Sequence, residues 1–195
     1  MISIQELRKL YKAMGIPTVL DDGFNLLLET ASKKNPLNIL EVGTATGMSG
    51  TALLLSCPNA RLTTIEILET CYLEAEKNFK EFGVDTRVTQ LLGDSLEVLK
   101  NIQGKFDFVF LDGSKSKYKK CLDLIEPHLA NGAIVVADNV LFRGYVMAEK
   151  CPRRFKTIAK YMKQFIDYIT NSGNYETTLY QMGDGLTVSK YLKGE

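Results

Sequence analysis

Acidic residues close a series of apolar runs. Glu41 ends "NILE", Glu66 ends "RLTTIE", Asp94 follows "TQLLG", Asp112 ends "FVFLD" and Asp138 ends "IVVAD". After Glu41 comes Gly43-Thr44-Ala45-Thr46-Gly47, a glycine-bounded loop of the kind that receives a ligand beyond a strand. A dinucleotide loop needs glycine at its middle position so that a pyrophosphate can approach the backbone. Here Ala45 crowds that approach, and Glu41 repels phosphate while attracting cations. No Gly-Lys-Ser/Thr comes after it, so the loop is not a P-loop either. It suits a nucleoside with a cationic, phosphate-free tail, and S-adenosylmethionine, with its sulfonium and ammonium, answers to that. Glu66 is placed to accept both ribose hydroxyls, and Asp94 and Ser95 to meet the adenine edge. An acid at a strand end can equally cap the next helix, as Asp94 could; three in succession favour the cofactor. The expected cofactor set is Glu41, Gly43, Thr44, Gly47, Ser49, Glu66, Asp94, Ser95 and Asp112.

Asp112, Asp138 and Asn139 form a second set, expected on the same sheet edge. Three hard oxygen donors without histidine suit Mg²⁺, or Mn²⁺ or Ca²⁺ in the same place. With about six positions on such an ion, two adjacent substrate oxygens and a water would complete the shell. Caps or turns are the plainer reading of either aspartate alone.

Strands and helices must alternate to bring these residues together. Two N-terminal helices (about 3–14 and 21–33) precede a strand at "LNILEVG", a helix at "MSGTALLLSC", a strand at "RLTTIEI" and a helix from Glu69 that stops at Gly83. "RVTQLLG", "FDFVFLD" and "GAIVVAD" are further strands, with helices at "SLEVLKNI" and "YKKCLDLIEPHL" between them. The runs are apolar throughout, as in a parallel sheet covered on both faces. A long helix (about 153–171) then leads to "YETTLYQ", the turn "MGDG" and "LTVSKYL", two antiparallel strands. The expected architecture is a single Rossmann-like α/β domain over 1–195, with 1–35 as an N-terminal helical segment and a seven-stranded, mainly parallel sheet finished by a hairpin. In the first helix Ser3 and Glu6 have capping-box spacing, and Leu7, Leu10, Tyr11 and Met14 share one face.

At 195 residues and 45% hydrophobic content, the chain can bury a full core. No apolar run spans a bilayer and the N-terminus lacks a signal-peptide core, so a cytoplasmic protein without membrane association is expected. The net charge of +1 gives no argument for a nucleic-acid partner. Its distribution does: Arg143, Lys150, Arg153, Arg154, Lys156, Lys160 and Lys163 face the single acid Glu149, although a solvated helix face has the same look. Cys57, Cys71, Cys121 and Cys151 lack zinc spacing and are expected reduced and largely buried. His128, the only histidine, reads as a helix-end residue rather than a catalytic base.

The stretches "LEVGTATGMSG", "LDGSKSKY" and "ADNV" resemble the metal-dependent O-methyltransferases related to the catechol and caffeoyl-CoA methyltransferases, over nearly the whole chain from about Ile16 to Leu192. "LDGSK" stands where enzymes that methylate base amino groups carry (D/N/S)PP(Y/F/W). The resemblance implies that Asp112, Asp138 and Asn139 hold the metal and that Lys115 is the base. Within the family, "DNVLFRGYV", "RRFKTIAKYMKQF" and "MGDGLTVS" are most similar to the bacterial tRNA 5-hydroxyuridine methyltransferase group. That likeness implies tRNA as partner, with Arg143, Arg153 and Arg154 on its phosphates, and a homodimer. A small catechol or phenol is the alternative substrate. A non-catalytic S-adenosylmethionine-binding protein is less favoured because the metal set is intact, and a dinucleotide oxidoreductase because of Ala45.

Overall fold

The computed structural model describes residues 4–13, 19 and 21–192. Seven strands form one sheet in the order β3-β2-β1-β4-β5-β7-β6: β1 Asn38–Val42, β2 Arg61–Glu66, β3 Val88–Leu92, β4 Phe106–Leu111, β5 Leu129–Asp138, β6 Tyr175–Tyr180 and β7 Leu186–Tyr191. The first five are parallel, and β7 enters antiparallel between β5 and β6. The helices are α1 Ile4–Ala13, α2 Asp21–Lys34, α3 Met48–Ser56, α4 Glu69–Glu81, α5 Ser95–Leu99, α6 Tyr118–Ile125 and α7 Lys156–Asn171.

Successive strand side chains point to opposite faces, which divides the core in two. On one face Leu40, Val42, Val109, Leu111 and Val135 pack with Leu122, Ile125, Met162 and Phe165 of α6 and α7. On the other, Ile39, Leu62, Phe108 and Phe110 pack with Phe24, Leu27, Leu53 and Phe79 of α2, α3 and α4. Central strands buried on both sides therefore read as continuous apolar runs. The edge strand β3 departs from that expectation, being half exposed along its length, because no strand lies beyond it.

Several expected boundaries differ, α5 among them, which ends at Leu99 rather than Ile102. β5 begins at Leu129 rather than Gly132. α6 gives way at Ile125 to a 3₁₀ turn, Glu126–His128, where Pro127 has no amide hydrogen to continue the ladder. The last helix opens with a 3₁₀ turn over Arg153–Phe155. His128 Nδ1 lies 3.1 Å from the Gly104 carbonyl on the exposed surface. Cys57 and Cys121 are buried, whereas Cys71 and Cys151 are only partly so, and all four are free. Ser3 and Met14 lie outside the described residues, so neither the capping box nor the full apolar face of the first helix is visible. Among the described residues no helix is long and apolar enough to cross a membrane.

Candidate active site

The β1–α3 loop is held open by glycine. Gly43 has φ 102°, and a Cβ there would lie 2.7 Å from the backbone carbon and oxygen of Asp112, so only glycine lets the ends of β1 and β4 approach this closely. Gly47, at φ 77°, turns the chain into α3 and seats it against Ala75 and Phe79 of α4. Ala45 also has positive φ, 46°, and its amide donates to Glu66 Oε2 at 2.8 Å. Beside this loop runs a cleft with about 670 Å³ of empty space, bordered by Gly43, Ala45, Glu66, Ser95, Asp112 and Lys117.

Glu66 is 8% exposed and takes two further amide bonds on Oε1, from Ile67 and Leu68, at 2.8 Å each. A carboxylate has about four acceptor sites, so three are spent fixing its orientation and one remains for a ligand. Glu41 is placed differently from the expectation. It lies beneath the loop and does not border the cleft, because its register partner Thr64 donates to Oε2 at 2.6 Å and Thr44 joins the chain through Thr64 at 2.6 Å. Its Oε1 is buried without a partner, and burial pushes the carboxyl up to about 8 against the opposing bond from Thr64.

Asp94 takes its plainer role. It caps α5 by accepting from the Leu96 amide at 2.9 Å and pairs with Lys117 at 2.6 Å; Lys117 first, then the amide, hold it below the usual carboxylate range. Ser95 borders the cleft in its place. Thr44 and Ser49 face a smaller adjoining compartment.

Leu111 of β4 is in register with Ala137 of β5, so Asp112 and Asp138 leave neighbouring strands side by side. Tyr118, which sequence reasoning missed, ties those strand ends together: its hydroxyl lies 2.9 Å from the Leu111 carbonyl and 3.0 Å from that of Asp138. Lys115 Nζ donates to Tyr118 Oη and to Asp112 Oδ1, both at 2.9 Å. Burial works to lower the Lys115 pKa, but Tyr118 and Asp112 outweigh it and keep the ammonium charged, above its ordinary value. Asp138 is pushed up to about 6, chiefly by burial and then by Asp112. Asn139, at φ 58°, bonds Asp138 through its backbone and side-chain nitrogens at 2.8 and 2.6 Å. No group of three or more His, Cys, Asp or Glu side chains fit for a metal occurs among the described residues; this set is two carboxylates and an amide. It nevertheless suits a hard divalent ion in kind: all three side chains offer oxygen donors, the Asp112 carboxylate is near enough to raise Asp138, and the Lys115 ammonium pairs with Asp112.

Past Asn139 the chain carries Arg143, Arg153 and Arg154, all exposed. Arg143 and Arg154 gather around Phe155, which stacks on Tyr145 with centroids 5.3 Å apart and meets Phe142 edge-on at 5.4 Å; Arg153 opens the 3₁₀ turn that Phe155 closes. The Arg154 and Arg143 guanidinium carbons lie 4.6 and 5.7 Å from the Phe155 ring.

A parallel sheet with a reversed seventh strand, a nucleoside-sized cleft at the β1–β4 switch point and a carboxylate pair beside it define a class I, S-adenosylmethionine-type transferase. Residues 4–192 match the model of the O-methyltransferase family, and the chain belongs to that family. It is 27% identical to the caffeoyl-CoA O-methyltransferase of Medicago sativa, over 90% of this chain and 75% of that one. It is 25% identical to tapetum-specific methyltransferase 1 of Arabidopsis thaliana, over 92% and 78%. Among solved structures, a candidate caffeoyl-CoA O-methyltransferase from Staphylococcus aureus superposes with a TM-score of 0.90 at 27% identity, covering 98% of this chain and 93% of that one. TomG from Streptomyces achromogenes, an O-methyltransferase of tomaymycin synthesis solved with S-adenosylmethionine, gives 0.86 at 25% identity, covering 97% and 89%.

Proposed function

We propose that this O-methyltransferase uses S-adenosylmethionine and a divalent metal, Mg²⁺ first, to methylate the 5-hydroxyl of 5-hydroxyuridine in tRNA, giving 5-methoxyuridine. The carrying observation is the side-by-side exit of Asp112 and Asp138 from β4 and β5, with Asp112 on the border of the nucleoside cleft. 5-Hydroxyuridine sets a hydroxyl beside a carbonyl, a chelating pair like that of a catechol.

In this reading Asp112, Asp138 and Asn139 would hold the metal, and the chemistry it would supply is Lewis acidity that lowers the pKa of the acceptor hydroxyl. Glu66, oriented by its three amide bonds, fixes the ribose of the donor. Lys115 is an ammonium while Tyr118 and Asp112 hold it; having released that proton to water, its Nζ would take the proton of the acceptor hydroxyl. Tyr118 holds Nζ in reach. The acceptor oxygen then attacks the methyl carbon in line with the departing sulfur, and alignment supplies much of the acceleration because the sulfonium is already activated. Arg143, Arg153 and Arg154 meet tRNA phosphates, and the Phe142–Tyr145–Phe155 cluster offers rings on which a base can stack.

A second reading, a small catechol or phenol as acceptor, is favoured by the likeness to caffeoyl-CoA O-methyltransferase. Nucleoside mass spectrometry of tRNA from a strain lacking the gene separates them. Loss of 5-methoxyuridine with accumulation of 5-hydroxyuridine supports the tRNA substrate; an unchanged profile rejects it. Full activity of the purified enzyme in excess chelator would reject the metal. Homodimerisation belongs to the same proposal and is tested by sedimentation.

A further inference from the structure

Arg8 has no part in the reading above, yet it is only 5% exposed and its Nη1 is buried without a hydrogen-bond partner. Nη2 donates to the Val19 carbonyl at 2.9 Å and to Asp21 Oδ1 at 3.0 Å. The guanidinium carbon lies 3.5 Å from the centroid of the Phe24 ring. A planar cation is thus fixed in place with one arm of its fork unused. Burying such a donor unpaired is costly, and it gains most from an acceptor that arrives with a ligand. Asp21 meets only part of the local positive charge, since it is itself 71% exposed and shared with Lys12 at 2.6 Å.

Arg8 lines a compartment with about 310 Å³ of empty space together with Gly43, Thr44, Ser49 and Asp112. The first turn of α3 closes it. The N-cap of that helix, Gly47, offers no side-chain cap; Glu41 takes the Gly50 amide from beneath, and the leading amides Met48 and Ser49 carry the partial positive charge of the helix start. The compartment shares Gly43, Ala45 and Asp112 with the larger cleft, so a single elongated ligand can occupy both.

We propose that Arg8 Nη1 and the first turn of α3 bind the α-carboxylate of the methyl donor's amino-acid tail while its nucleoside fills the larger cleft. This deepens the S-adenosylmethionine reading and rests on it. The donor's tail is a zwitterion, and the compartment presents matching opposites: Asp112 for the ammonium, Arg8 with the helix start for the carboxylate. A bidentate-capable guanidinium held by Phe24 and Val19 is pre-organised for that task.

The test is calorimetric binding of three ligands to the full chain. They are S-adenosylhomocysteine, its decarboxylated analogue with the amine kept, and 5′-methylthioadenosine, which lacks the tail. The wild type should favour S-adenosylhomocysteine over the decarboxylated analogue by on the order of 30-fold, the scale of a charge-assisted hydrogen bond. Arg8→Met should shrink that gap to a few-fold at most and leave 5′-methylthioadenosine within about twofold of wild type. Equal wild-type affinities for the first two ligands overturn the assignment, and this arm needs no variant, so it decides even if Arg8→Met does not fold. The assignment also falls if Arg8→Met leaves S-adenosylhomocysteine binding unchanged or weakens all three ligands alike. A wild type that binds none of the three overturns the cofactor reading itself and this assignment with it; binding of 5′-methylthioadenosine without carboxylate discrimination removes only Arg8.

Discussion

Two carboxylates at strand ends carry contrasting fates. Glu41 is sealed under the loop, and burial raises its carboxyl to about 8 from 4.5. Between those values the folded protein holds a proton that the unfolded chain has released. This contribution to stability is therefore intact below pH 4.5 and is lost as pH rises through about 8. Glu41→Gln, which can keep the bond to Thr64, should flatten that decline. Thermal midpoints of the cofactor-free protein from pH 5 upward test this, and parallel curves for the two proteins would reject it. Asp138, by contrast, lies among hard donors and does not border the cofactor cleft. Asp138→Ala should lower turnover by more than about a hundredfold, the effect of losing several kcal/mol of charge stabilisation. Affinity for S-adenosylhomocysteine should stay within about threefold, as expected for a residue outside that cleft. Comparable losses in both quantities would count against a separate metal site. Glu66 and the Asp112–Asp138 pair were legible as acids closing apolar runs. Tyr118 and Arg8 were not, because nothing local distinguishes a buried tyrosine or arginine from its exposed neighbours until the contacts are known.

At the level of elements, the site is a set of close approaches made by loops. Gly43 makes the tightest of them against backbone, with that of Asp112 only 2.7 Å from where a Cβ would stand. Gly43→Ala must either shift the end of β4 or strain a left-handed residue, at about 2 kcal/mol or more. Chemical denaturation should show that loss, along with weakened cofactor binding; a variant of wild-type stability would mean that the loop yields freely. The alternation of strand and helix was readable because the central strands are buried on both faces and the helices have one apolar side. The breaks in that pattern were less so. The 3₁₀ turn after Ile125 and the early start of β5 depend on Pro127 and on pairing with β4, whose register shifts between Phe106 and Phe108.

For the molecule as a whole, a near-neutral total conceals a basic segment after Asn139, where Arg143, Arg153 and Arg154 are exposed. If Arg143, Arg153 and Arg154 each neutralise a phosphate, tRNA affinity should fall on the order of 40-fold between 50 and 200 mM salt. Arg153→Glu with Arg154→Glu should reduce both the affinity and the salt slope. Filter binding across that range measures it, and a flat response would favour a small phenolic acceptor. By itself the sequence determined the alternation of elements, the final hairpin and the acids at strand ends, since each is written in local periodicity and in the residue that closes each apolar run. Only the tertiary structure decided that β7 inserts beside β5, that Glu41 faces inward to Thr64, that Asp94 is spent on Lys117 and that Arg8 reaches the cofactor loop. Those outcomes rest on strand register, side-chain direction and removal from water, which arise between segments far apart in the chain.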